Sequence, residues 1–367
     1  MRLLPFPAYV GVDDLKTALL VLAVDPSIGG LLIMGPKGTG KSSIVRSFAN
    51  LLPLIKVVKG CPFNCDPESP EGMCDLCRSK WEHGEKLLIS EVPMSIVELP
   101  IGATEDMVLG TINIERTLRE GRLVFEPGLL GRANRQILYV DEVNLLPDHV
   151  VDSILDSAAF GWNVVEREGI SLKHPARFIL IGTMNPEEGE LRPQLLDRFA
   201  ISVKLETVHD PKLRMEIVKR NLELESEPQL FISKWVPAEE EIKARIAIAK
   251  ELLPKIKVSD SVVDLISKVC ARLEVDGYRP DIVAVKVARA LAALNGRYEV
   301  IEEDAIEGLR LALGHRTRAE GLKPPPTKEE LRAAFSEVSG KKLPVQKVEK
   351  AGEEKKEQVK FFPRWSF

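Results

Sequence analysis

Residues Gly35-Pro36-Lys37-Gly38-Thr39-Gly40-Lys41-Ser42 carry the spacing G-x-x-x-x-G-K-[ST]. Between a strand and a helix, that spacing cradles the phosphates of a nucleoside triphosphate. The context is present: the apolar run Leu31-Leu32-Ile33-Met34 reads as a buried strand, and Ser43-Ile44-Val45-Arg46-Ser47-Phe48-Ala49 as the first turns of a helix. Glycines let successive backbone N–H groups turn inward around the phosphates, and the helix N-terminus adds a field that favours anions. Gly35 through Ser43 are the candidate nucleotide-binding residues, with Lys41 reaching the β- and γ-phosphates and the Ser42 hydroxyl helping to hold Mg²⁺. The competing reading is a glycine-rich turn that binds nothing, and an eight-residue match in this context leaves it little room.

A second strand-like run, Ile137-Leu138-Tyr139-Val140, ends in Asp141-Glu142. Many strands end in acids, so the string gains meaning only downstream of a phosphate loop. There, Asp141 is expected to hold the Mg²⁺ and Glu142 to polarise the attacking water. A third run, Phe178–Met184, ends at Asn185. An amide there can bond both the γ-phosphate and the attacking water, or it can simply be the turn residue ahead of Pro186, which Asn suits equally well. Arg198, in Leu191-Arg192-Pro193-Gln194-Leu195-Leu196-Asp197-Arg198-Phe199, follows the last core strand by a short helix. It reads either as an arginine finger offered to a neighbouring subunit's γ-phosphate or as an ion pair with Asp197 or another nearby acid.

Four of the five cysteines fall within seventeen residues, as Cys61-x₃-Cys65-x₈-Cys74-x₂-Cys77. In a cytoplasmic chain such clustering favours metal binding over disulfides. Four thiolates close a tetrahedral Zn²⁺ site or hold an iron–sulfur cluster, with zinc slightly preferred. Free buried thiols are the third possibility. Cys270, on a helical pattern, reads as core filler, and His83 as a bystander rather than a substitute ligand.

These groups are positioned by an alternation of apolar strands and helical patterns over residues 1 to about 205, which implies a parallel sheet covered on both faces. The acidic strand end follows the phosphate loop by about a hundred residues, more than one crossover helix requires. From 206 the pattern is helical: a linker or insert over 206–255, then a helical unit over 256–320. Apolar residues recur at helical spacing in Ala238–Leu253, Val258–Leu273, Ile282–Leu294 and Glu302–Leu313. Residues 321–367 read as a charged, poorly packed tail, at most partly helical around Glu329–Phe335 and ending in the aromatic run Phe361–Phe367. The 367 residues carry a net charge of −4, which argues against a nucleic-acid partner. No apolar run spans a bilayer and no secretory segment opens the chain, so a cytoplasmic protein without membrane contact is expected.

The order of phosphate loop, Asp-Glu strand, Asn strand and Asp-Arg-Phe resembles the AAA+ ATPases. The stretches between resemble one branch of them, the I-subunit of magnesium chelatase and its cobalt-chelatase counterpart. The matching strings are Val97 through Asp106, Phe125-Glu126-Pro127-Gly128-Leu129-Leu130, Tyr139 through Leu146, Gly161 through Gly169, and Asn185 through Phe199, within a likeness running from about Phe6 to Arg318. The resemblance implies an AAA+ core with β-hairpin inserts around Val97–Gly128 and Gly161–His174, followed by an α-helical lid over 256–320. It makes Asn185 the sensor-1 residue and Arg198 a finger acting in trans. Arg279, in Gly277-Tyr278-Arg279-Pro280, becomes the sensor-2 arginine, acting in cis or in trans. It also implies ATP and Mg²⁺ as ligands, a homo-oligomeric ring, expected to be a hexamer, and two partners, a von Willebrand-type D-subunit and a large H-type subunit. The implied function is an ATPase motor that drives insertion of a metal, Mg²⁺ foremost, into a tetrapyrrole. The alternatives are a chaperone-like motor working with a von Willebrand-type adaptor on another metalloenzyme and, further off, a DNA-remodelling ATPase. An ATP-gated scaffold fits poorly beside Glu142 and Arg198. The cysteine cluster departs from the chlorophyll-pathway members, which often lack a full set of four.

Overall fold

The computed structural model describes residues 3–121, 124–167, 170–189, 191–319 and 321–340; the aromatic run Phe361–Phe367 lies outside the described residues. Five parallel strands form the central sheet, in the order Ile201–Lys204, Leu31–Met34, Ile179–Met184, Ile137–Val140, Ile96–Leu99. The three in the middle are continuous apolar runs because both of their faces are covered. One face, carrying Leu31, Ile33, Tyr139 and Ile181, packs against helices Asp13–Val24 and Lys41–Ala49 and the C-terminal helices. The other, carrying Leu32, Leu138, Val140 and Leu180, packs against helix Asp148–Phe160.

Register sets where the functional loops leave the sheet. Met34 lies opposite Met184, and Gly182 opposite Val140. The phosphate loop, Asn185 and Asp141 therefore all emerge at the carboxyl ends of adjacent strands, the edge where open α/β sheets bind ligands.

Three two-stranded antiparallel inserts decorate this body. Ile55–Val58 pairs with Ile89–Val92 and frames the cysteine loop; Gly110–Ile112 pairs with Phe125–Pro127; Trp162–Arg167 pairs with Ile170–Pro175. The insert expected to begin at Val97 begins later, because Ile96–Leu99 is a core strand, paired in parallel with Ile137–Val140. Gly110 is held at φ +99°, and a Cβ there would fall 2.5 Å from the Phe125 ring, so only glycine lets this hairpin close.

Beyond the sheet, helix Pro211–Ser226 leads into the long helix Pro228–Leu252, whose Ile242, Ile246 and Ala249 join the same core as the first strand. Helices Asp260–Arg272, Arg279–Leu294 and Glu302–Leu313 follow. The last two approach closely enough that a Cβ on Gly308 would fall 2.4 Å from the Ala284 carbonyl oxygen.

The region after Gly321 differs from expectation. Lys328–Ser339 is a complete helix opened by a capping box: Thr327 Oγ1 accepts from Glu330 N at 3.1 Å, and Glu330 Oε2 accepts from Thr327 N at 2.9 Å. Its Leu331, Ala334 and Phe335 are buried against the preceding helices, and Glu337 pairs with Arg272 at 3.0 Å. The helix is an integral part of the helical unit. Phe335 is 1% exposed, so Phe335→Ala is expected to lower the free energy of unfolding by about 3–5 kcal/mol. Urea denaturation reads this directly, and a loss below about 1 kcal/mol would show that the helix is not docked in solution.

Candidate active site

The phosphate loop is shaped by its glycines. Gly38 and Gly40 sit at φ +82° and +79° with no heavy atom near a would-be Cβ, so their conformation, not crowding, requires glycine. Gly35 is crowded instead: a Cβ there would lie 2.6 Å from the Leu205 carbonyl oxygen. Helix Lys41–Ala49 begins directly after Gly40, with Ile44 N donating to Gly40 O at 3.0 Å. Lys41 Nζ donates to Gly35 O at 2.5 Å and Pro36 O at 3.0 Å, which holds the ammonium over the loop. Burial lowers its pKa, with Asp141 and Glu142 opposing the shift.

Asp141 is held by hydroxyls from two strands. Thr183 Oγ1 donates to Asp141 Oδ1 at 2.6 Å. The Tyr139 hydroxyl lies 3.0 Å from the same oxygen and 2.9 Å from Ser42 Oγ, within reach of donating to either. Burial pushes the Tyr139 phenol up to about 12, so it keeps its proton and remains a donor. Ser42 and Asp141 are thereby brought together on one side of the loop.

Glu142 takes the left-handed conformation, φ 50° and ψ 55°, which costs a non-glycine residue on the order of 1 kcal/mol or more. The Thr183 hydroxyl accepts from Glu142 N at 3.0 Å and stabilises that geometry. Lys37 Nζ lies 3.3 Å from Glu142 and 2.6 Å from Glu188; Glu188 and Glu142 raise the Lys37 pKa, and Lys37 lowers that of Glu188. Asn185 is buried, and its Oδ1 accepts from Glu187 N at 3.3 Å, capping a short 3₁₀ turn. It serves the turn and also faces the cavity.

Lys37 through Ser43, Asp141, Glu142, Thr183 and Asn185 line one cavity of about 540 Å³. A second cavity, about 400 Å³, shares Gly38, Thr39, Gly40 and Ser43 with it and continues between Val10, Val12, Leu205, Val208, Ile217 and Val218. Tyr139, Thr183, Glu188 and this apolar annex escaped sequence reasoning. The available signal for Tyr139 and Thr183 was a lone hydroxyl in each apolar run, two residues before the polar strand end.

Arg198 and Arg279 line neither cavity. Arg198 pairs with Asp152 at 2.9 Å and Asp156 at 2.7 Å, both on helix Asp148–Phe160. Arg279 Nη2 donates to Arg198 O at 2.7 Å, so the two residues are adjacent. Asp197 pairs with Arg316 instead.

The Sγ atoms of Cys61, Cys65, Cys74 and Cys77 all lie within 4.8 Å of one another, with Cys61 and Cys74 at 3.8 Å. Backbone N–H groups of Phe63 and Cys74 donate to Cys61 Sγ and Cys65 Sγ. Hydrogen bonds from Cys65, Cys74 and Cys77 hold the Cys61 thiol well below the ordinary thiol range. His83 stands apart, its Nδ1 2.7 Å from Ser79 O. Cys270 is buried in a helix, and burial pushes its thiol up.

A parallel sheet with a phosphate loop after Leu31–Met34, Asn at the end of the adjacent central strand, Asp-Glu at the end of the strand beyond it, and a helical unit define an AAA-type nucleoside triphosphatase. The AAA domain family (dynein-related subfamily) matches residues 81–199, and the AAA lid domain family matches 263–335. The chain is 51% identical over 334 residues to the magnesium-chelatase subunit ChlI homolog of Methanocaldococcus jannaschii, covering 91% of each. It is 50% identical over 336 residues to magnesium-chelatase subunit ChlI of Synechocystis sp., covering 92% of this chain and 94% of the relative. A structure of the complex between subunits BchI and BchD of magnesium chelatase contains a chain 43% identical, with TM-score 0.51, covering 87% of this chain and 97% of that one. The chain belongs to the magnesium-chelatase ChlI family and is an ATP-hydrolysing subunit.

Thr183→Val keeps the side-chain shape but removes the hydroxyl that joins Asp141 to the Glu142 backbone. Hydrolysis is expected to fall about tenfold or more, with nucleotide affinity within about twofold of wild type. Steady-state turnover beside fluorescent-nucleotide titration separates the two, and an unchanged kcat would remove Thr183 from the site.

Proposed function

We propose that this chain is the motor of a chelatase complex, hydrolysing ATP in a homo-oligomeric ring, most simply a hexamer, to drive insertion of Mg²⁺ into a tetrapyrrole held by partner subunits. The observation that carries this reading is the division of the catalytic set. The phosphate loop, both acids and Asn185 share one cavity, whereas Arg198 and Arg279 sit together outside it. A neighbouring subunit that brings this face to the cavity completes the site.

Within one subunit the roles follow from position. Gly35 through Ser43 bind the phosphates, with Lys41 as the cationic contact; Ser42 and Asp141 hold the Mg²⁺, which when bound neutralises charge on the phosphates. Glu142 orients and polarises the attacking water, and Asn185 positions it against the γ-phosphate. The apolar annex seats the base and ribose. Arg198 from the next subunit stabilises charge in phosphoryl transfer, assisted by Arg279. The body to about residue 205 is the nucleotide-binding domain, 206–255 connects it, and the helices from 256 onward, including Lys328–Ser339, form the lid. A D-type subunit is the proposed ring partner, by analogy with the BchI–BchD complex; an H-type subunit as the tetrapyrrole carrier rests on the family resemblance alone.

The cysteine set we assign to one mononuclear Zn²⁺. A Zn–S bond of about 2.3 Å places tetrahedral sulfurs about 3.8 Å apart, the distance between Cys61 and Cys74. An iron–sulfur cluster interposes several iron atoms and sulfides, which spreads its cysteines wider than a set confined within 4.8 Å. Thiols kept as metal ligands suit a reducing compartment, and the cytoplasm is the proposed location; among the described residues, no helix is long and apolar enough to cross a membrane.

Three measurements test these assignments. Arg198→Ala is expected to abolish hydrolysis while ATP binding stays within about twofold; loss of binding, or normal turnover, would contradict a finger acting in trans. Metal analysis of anaerobically purified protein should give about one zinc per chain without visible colour, lost in Cys74→Ser; iron with sulfide and a brown absorbance would replace zinc by a cluster. Reconstitution with D- and H-type subunits should yield ATP-dependent formation of a Mg-porphyrin, absent with Glu142→Gln. Intact ATPase without product would move the client to another metalloenzyme.

A further inference from the structure

The backbone carbonyls of Asp197, Arg198 and Phe199 are all gripped by side chains of the helical unit. Arg316 Nη1 donates to both Asp197 O and Asp197 Oδ1. Its Nη2 donates to Phe199 O at 2.7 Å, which also accepts from His315 Nε2 at 2.9 Å. Arg279 supplies the middle grip, on Arg198 O at 2.7 Å. These carbonyls close the short helix Pro193–Leu196, and no further helical turn follows to donate N–H groups to them. Beneath them the Phe199 ring packs on the sheet, where a Cβ at Gly182 would come within 3.1 Å of it.

The arrangement is costly where it could have been apolar. Arg316 is 1% exposed; among the described residues its Nε and the His315 Nδ1 have no partner, and the carboxylate it pairs with, Asp197, is 56% exposed. Burial lowers the pKa of Arg316 and brings the His315 imidazole down to about 3, so His315 is neutral and donates through Nε2. A buried, incompletely satisfied guanidinium is weak support for stability, since apolar substitutes often match or exceed it. What it does supply is a bidentate fork that fixes two carbonyls on either side of one residue.

We propose that Arg316 is a positioning residue for Arg198: it bridges the backbone before and after the finger, so that movement of a subunit's lid sets where its own arginine stands in the neighbour's site. This rests on the reading of Arg198 as a finger acting in trans. Among the described residues, the Arg198 side chain is tethered to Asp152 and Asp156 at the surface, contacts that a phosphate can replace. Its backbone is the part held firmly. Arg279 serves the same grip, which gives it a task in its own subunit besides any nucleotide contact.

The test uses full-length chains mixed in equal amounts. Arg316→Met is expected to bind fluorescent ATP within about twofold of wild type and to lose hydrolysis by about tenfold or more. Mixing it with Glu142→Gln, whose own site is inactive but whose arginine is properly placed, should restore turnover well above either variant alone. The control pair, Arg198→Ala with Glu142→Gln, should recover in the same way. Recovery in the control but not with Arg316→Met would overturn the positioning role and leave the finger intact. Recovery in neither would overturn the trans finger and this inference with it. Wild-type hydrolysis by Arg316→Met alone would also sink the proposal. Should Arg316→Met fail to fold, Arg316→Lys keeps the cation without the fork and is expected to show the same pattern; wild-type turnover by the lysine variant counts against the bridge.

Discussion

Parallel pairing of Leu31–Met34 with Ile179–Met184, and of that strand with Ile137–Val140, governs everything at the nucleotide edge. Side chains alternate between the two faces of a strand. Tyr139, Asp141 and Thr183 consequently point to one face, the face on which helix Lys41–Ala49 carries Ser42. A slip of one residue in either ladder would turn the Thr183 hydroxyl into the opposite core and leave Asp141 unsupported. The loop strand is tied at the same level on both sides: Gly35 N donates to Met184 O at 3.1 Å, and Leu205 N to Met34 O at 2.8 Å. The edge is thus a set of backbone hydrogen bonds that fixes which side chains can meet.

That dependence explains what could be read from the chain and what could not. The phosphate loop and the Asp141-Glu142 step were legible because their geometry is local: glycines where φ is positive, an apolar strand before, a helix after. Thr183 and Tyr139 were not, because their partners lie on neighbouring strands and only register reveals them. Asn185 posed a choice between turn and sensor; it caps a turn while lining the cavity, so the turn leaves the proposed sensor role open to it. For Arg198 the acids that pair with it, Asp152 and Asp156, come from a helix some forty residues earlier rather than from adjacent Asp197. The helix Lys328–Ser339 had a readable capping box, Thr327-x-x-Glu330, and apolar residues at Leu331, Ala334 and Phe335. The high local charge and the preceding prolines masked it. Val97 was misplaced for a similar reason, since the half-exposed strand Ile96–Leu99 is too short to announce itself by periodicity.

The same logic of distant partners links the cysteine loop to the inserts. Phe63, between Cys61 and Cys65, stacks on His174 of one hairpin at 5.0 Å between ring centroids and on Phe125 of another at 6.5 Å. His174 is itself buried, its pKa lowered by desolvation, and it lies 3.0 Å from Asn163 Nδ2. The Phe63 carbonyl accepts from Asn134 Nδ2 at 2.6 Å, and Asn134 Oδ1 accepts from Arg177 N just ahead of the central strand Ile179–Met184. Four thiolates closed on one ion would fix the Cys61–Cys65 turn and, through Phe63, the angle at which both hairpins leave the body. With the thiols free, the turn keeps its sulfur hydrogen bonds and neutral bonds such as Asn134 Nδ2 to Phe63 O, which constrain it less than four metal–ligand bonds do. An ion closed there would therefore act first on the hairpins, since the phosphate loop is held by its own backbone bonds to Met184 and Leu205.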